Sequence, residues 1–81
     1  MNVEQDADIE QQVEALAARL AELTERKVAT EKRVRALMAA EDHKAGVYYA
    51  QEIFEAQQQK LMLETEMEIA RRQRNRLTLP Q

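Results

Sequence analysis

Glu41-Asp42-His43-Lys44-Ala45-Gly46 is the stretch on which the fold of this 81-residue chain turns. It holds the only glycine of the sequence, and glycine takes the positive φ of a helix stop without a Cβ penalty. On its N-terminal side Ile9, Val13, Leu16, Leu20 and Leu23 recur at alternating spacings of four and three. The same frame continues through Lys27 and Thr30 to Val34 and Leu37. Such alternation keeps the apolar residues on one face of a helix. Past Leu37 the frame meets Glu41, Lys44 and Tyr48, so the stripe ends there. A second frame opens at Tyr49 and runs through Ile53, Ala56, Lys60, Leu63, Met67, Ala70, Arg74 and Leu77.

The pattern predicts a single all-α domain over residues 1–81, an antiparallel, coiled-coil-like two-helix hairpin. Helix 1 is expected over 6–43, the turn over 44–46 and helix 2 over 47–77. Residues 78–81 are expected as a short extended tail, because the residue before Pro80 is pushed out of the α region. One unbroken helix is the alternative, since a glycine in a helix interior costs only about 1 kcal/mol.

Two patterns favour folding back. A reversal about residue 45 pairs Leu37 with Ile53, Val34 with Ala56, Thr30 with Lys60, Lys27 with Leu63, Leu23 with Met67 and Leu20 with Ala70. Large residues then meet small ones in two layers, and the polar Thr30 and Lys60 share another. Charge alternates by block as well. Residues 1–25 carry one base against seven acids, 26–44 six bases against three acids, 45–70 one base against five acids, and 71–81 four bases and no acid. Folding at 45 lays acidic blocks against basic ones. The flanking positions Gln12, Arg19, Arg26 and Arg33 then face Glu52, Gln59, Glu66 and Gln73, and such pairs set helix partner and orientation. A domain-swapped dimer would use the same pairing between chains.

Composition agrees with the class. Hydrophobic residues make up 44% and charged residues 33% of the chain, with one glycine and one proline. That is too apolar for a disordered tail, rich in helix formers and short of the turn residues a β fold needs. The absence of cysteine removes any disulfide framework or thiolate metal site, which suits a reducing, cytoplasmic setting. Met1 to Glu10 lacks the basic and apolar regions of a signal peptide, and no apolar run approaches the ~20 residues that cross a bilayer. Neither secretion nor membrane insertion is expected.

Catalysis finds little to work with. There is no Ser or Cys nucleophile, and no glycine-rich phosphate loop. Glu64, Glu66 and Glu68 point to different helix faces. His43, beside Glu41 and Asp42, is a single imidazole on a turn, a weak basis for a metal site. Lys27 and Lys60 on the seam fit residues whose apolar stems line the interface while the ammonium reaches water. No enzyme activity, cofactor or metal is expected.

The residues left over point outward. Val47, Tyr48, Phe54, Leu61, Met62 and Ile69 occupy positions about 180° around helix 2 from its seam, so this helix is apolar on two opposite faces. A stripe of this length marks an interface. The expected partner is another protein chain, either a second copy assembling two hairpins into a four-helix bundle or a helix of a different protein laid in a groove. The rival reading is a nucleic-acid-binding regulator. Arg71, Arg72, Arg74 and Arg76, with a second cluster at Arg26, Lys27, Lys32, Arg33 and Arg35, could contact phosphates. The overall charge of −3 argues against that, and cations near a helix C-terminus also complement its dipole. In shape the predicted hairpin is similar to small helical adaptors, among them plasmid copy-number RNA-binding dimers and the co-chaperones of bacterial secretion systems. That likeness implies candidates for function and not residues.

Overall fold

The computed structural model describes residues 3–79, with side-chain surroundings from Asp6 onward. Two helices, α1 (Val3–Ala40) and α2 (Ala50–Thr78), pack side by side in antiparallel sense. They form a rod of 68 × 17 × 14 Å. Every position of the two apolar frames is buried or half-buried, from Ile9 to Leu37 on α1 and from Tyr49, just before α2, to Leu77. The seam residues Leu16, Leu20, Leu23, Val34, Leu37, Ile53, Leu63 and Met67 all lie in this interface.

The most protected part is the middle of the rod. Leu23 is fully buried and packs with Leu63 and Met67, with Leu20 against the cluster. Ala56 and Ala70 are buried on the same face of α2, in the layers where the fold-back expects Val34 and Leu20. Thr30 is buried as well, its hydroxyl donating to the Arg26 carbonyl at 2.8 Å. That bond satisfies the polar side chain that is buried among the described residues.

Outside the two frames, the shielded residues between Ala7 and Leu79 are Glu31, Glu41, Glu64 and Glu66. Each of these carboxylates meets a donor from the opposite side of the hairpin. Arg19 pairs with Glu66 at 3.2 Å, the flanking pair expected for this fold-back. Lys27 reaches Glu64 at 3.4 Å and Lys60 reaches Glu31 at 4.0 Å. Those last two pairs form a crossed box, because Lys27 and Glu31 sit one turn apart on α1 and Lys60 and Glu64 one turn apart on α2. Glu41 accepts from the Tyr49 backbone N–H at 3.0 Å, covering the entrance to α2, where no side chain of Tyr49 caps the helix.

The connection differs from the sequence expectation. α1 ends at Ala40 rather than 43 and α2 starts at Ala50 rather than 47, so Glu41 to Tyr49 form a loop instead of a three-residue turn. The cause is Asp42. Its carboxylate accepts from the backbone N–H groups of Lys44 and Ala45 at 3.1 and 3.2 Å, an Asx-type arrangement that competes with continued helix. Asp42 and Val47 exchange both backbone hydrogen bonds, at 2.9 and 2.8 Å, and close a tight β-like loop. Gly46 does take positive φ, at 72°, but within this loop and not as the cap of α1. At the other end α2 continues one residue beyond the expected 77, and Leu79 is extended at φ −76°, ψ 140°, as a residue before proline should be. The rest of the expected tail, Pro80 and Gln81, lies outside the described residues.

Candidate docking surface

On α2, Phe54, Leu61, Met62 and Ile69 are each more than half exposed, at 59, 55, 64 and 51%. Their spacing of seven, one and seven residues keeps them in one strip. Gln58 and Thr65 fill the strip between them, so no charge interrupts it from Phe54 to Ile69. Thr65 turns its hydroxyl back to the Leu61 carbonyl at 3.0 Å, which leaves its methyl group for the surface. At about 1.5 Å per residue the strip is roughly 22 Å long.

Charges border the strip and are largely engaged along their own helix. Glu68 meets Arg72 at 3.1 Å and Arg71 at 3.8 Å. Gln51 donates to Glu55 at 3.3 Å. Beside Ile69 an open groove runs between the helices, floored by Ala15, Leu16 and Ala70 and edged by the Arg19–Glu66 pair. The apolar surface therefore continues from the strip toward α1 at this end. Among the described side chains of α1 the exposed large apolar residues are Val28 and Met38, ten positions apart.

Val47 and Tyr48 do not belong to the strip. They precede α2 and lie in the loop, where Val47 is tied to Asp42 and Tyr48 stands edge-on to His43 with ring centroids 5.2 Å apart. A helical reading of 47 and 48 placed them on the same face as Phe54, and the later start of α2 removes that alignment.

The basic run at the end of α2 does not gather into one phosphate-binding face. Successive residues rotate by about 100° on a helix, so Arg71, Arg72, Arg74 and Arg76 spread around it. Arg71 and Arg72 are held by Glu68, and Arg74 is half-buried at the seam. Arg76 is left in the last turn, where it complements the helix dipole. Around His43, Glu41 is committed to Tyr49 and Asp42 to Lys44 and Ala45. No group of three metal-ligating side chains occurs among the described residues. No helix among them is long and apolar enough to cross a membrane.

No protein family, curated protein or solved structure matches this chain.

Proposed function

We propose that the chain is a non-enzymatic interaction module, a small helical adaptor of the chaperone-like kind that binds another protein chain through the outer face of α2. One observation carries this reading. α1 covers one apolar face of α2, and the strip of Phe54, Leu61, Met62 and Ile69 on the opposite face has no intramolecular cover. Exposed apolar surface that is contiguous and bordered by polar residues is the signature of an interaction site. The hairpin also gains from a partner. Its buried apolar residues are Leu23, Ala56, Leu63, Met67 and Ala70, a small core for a chain of this length. A cysteine-free chain of this composition suits a reducing, cytoplasmic compartment.

The test is Phe54→Glu combined with Leu61→Glu, followed by mass in solution, helicity and recovery of bound protein from the native host. Loss of the assembly with retained helicity is the expected result. A well-folded wild-type monomer whose mass, stability and bound protein are all untouched by the double substitution would remove the site.

A further inference from the structure

The spacing of the exposed strip identifies what covers it. Positions 54, 61, 62 and 69 map onto themselves when α2 is reversed about the midpoint between Leu61 and Met62. Phe54 then exchanges with Ile69, Leu61 with Met62, and the uncharged Gln58 with Thr65. Reversal about a midpoint is what a two-fold axis does to an antiparallel partner, and a patch that meets itself across such an axis must be self-complementary. We propose that two copies of the chain pack α2 against α2 in antiparallel sense, with the two-fold axis between Leu61 and Met62. This rests on the outer face of α2 being a protein-binding surface, and it adds the occupant and its direction.

Area supports a second copy. The chain exposes 6447 Å², whereas a compact monomer of this mass exposes about 5,000 Å². The excess of roughly 1,400 Å² is surface that the rod shape leaves uncovered, and it is more than the ~800 Å² per partner that a standard interface needs. Charge supports the antiparallel sense. In a parallel pair Glu64, Glu66 and Glu68 would stand level with their own copies, as would the arginines from 71 to 76. Reversal brings Glu64 and Glu66 level with Gln59 and Gln57 of the second copy, and Arg71 and Arg72 level with Glu52 and Gln51. Glu55 comes level with Glu68, whose charge Arg71 and Arg72 already offset.

The arrangement of the four helices also follows. Because strip and seam lie about 180° apart on α2, the helices line up as a flat layer with the two α2 helices in the middle and an α1 on each edge. A square bundle with one shared core would need those faces about a right angle apart.

The absence of cysteine makes the proposal directly testable, since an introduced thiol has no competitor in the chain. Disulfides need Cα atoms within about 7 Å. Under air oxidation Leu61→Cys and, separately, Met62→Cys should give disulfide-linked dimers. Phe54→Cys alone should give none, because its two copies would lie about 22 Å apart along the helix axis. Mixed with Ile69→Cys, it should give the mixed dimer. Efficient self-linkage of Phe54→Cys would mean a parallel pair and overturn the proposal. So would a wild-type monomer by light scattering at the same concentration. If that monomer still carries a bound host protein that the double glutamate substitution releases, the binding surface stands and the second copy does not. If neither mass nor bound protein responds, both readings fall together.

Discussion

Leu63 and Met62 are neighbours in sequence and similar in size and polarity, yet Leu63 is 2% exposed and Met62 is 64% exposed. The seam and the strip run along the same stretch of α2, and only one of them is closed by this chain. Their difference teaches that burial here follows the face a residue occupies and not its hydrophobicity. On the seam side, apolar layers come with shielded carboxylates, and each of those has a donor from across the hairpin. On the strip side, charge is held to the borders, as befits a surface that has to be dehydrated when something lands on it.

Substitutions can break this contrast or sharpen it. The largest effect is expected from Leu23→Ala, which empties the fully buried position and should cost about 2–5 kcal/mol in urea unfolding at fixed chain concentration. For a hairpin with so small a core, that can abolish the fold. Next, if the strip is closed by a second copy, unfolding must depend on concentration. A tenfold dilution should then lower the apparent stability by about 1.4 kcal/mol, whereas Phe54→Glu with Leu61→Glu should remove that dependence. Gly46→Ala should cost about 1–2 kcal/mol, because the site lies at φ 72° although a Cβ there would touch nothing. An unchanged melting midpoint would mean that the loop relaxes without strain. The smallest change is expected for Arg19→Ala. This side chain is half exposed, so its loss should cost less than about 1 kcal/mol and fade further in high salt.

Much of this was legible in the residues. The four-three alternation identified every shielded frame position, because a side chain's face depends on a period that can be counted. The antiparallel sense followed from charge blocks, and Arg19 meets Glu66 as that reading requires. The loop was not legible in the same way. Gly46 suggested a helix stop at its own position, whereas the Asp42 carboxylate captures the nearby N–H groups and ends α1 earlier. Competition between a side chain and the helix ladder has no period to reveal it. Val47 and Tyr48 were consequently assigned to a helix that begins after them. The crossed Lys–Glu pairs were missed because Glu31 and Glu64 lie just outside the apolar frames. The repeated Lys-x-x-x-Glu spacing at 27–31 and 60–64 was the available signal.

That crossed box bears on how the hairpin finds its pairing. Apolar layers repeat every seven residues, so a helix shifted by one heptad could still bury much of its stripe. Such a shift would bring Lys27 level with Arg71 or Gln57 in place of Glu64, and would set Glu31 against Met67 or Ile53 in place of Lys60. A misaligned closure therefore leaves both seam lysines without a carboxylate and places a carboxylate against an apolar side chain. Encounters in the wrong register should reopen quickly, while the correct one persists long enough for Leu23, Leu63 and Met67 to lock. The box thus favours the register seen here over closures that hydrophobicity alone would accept.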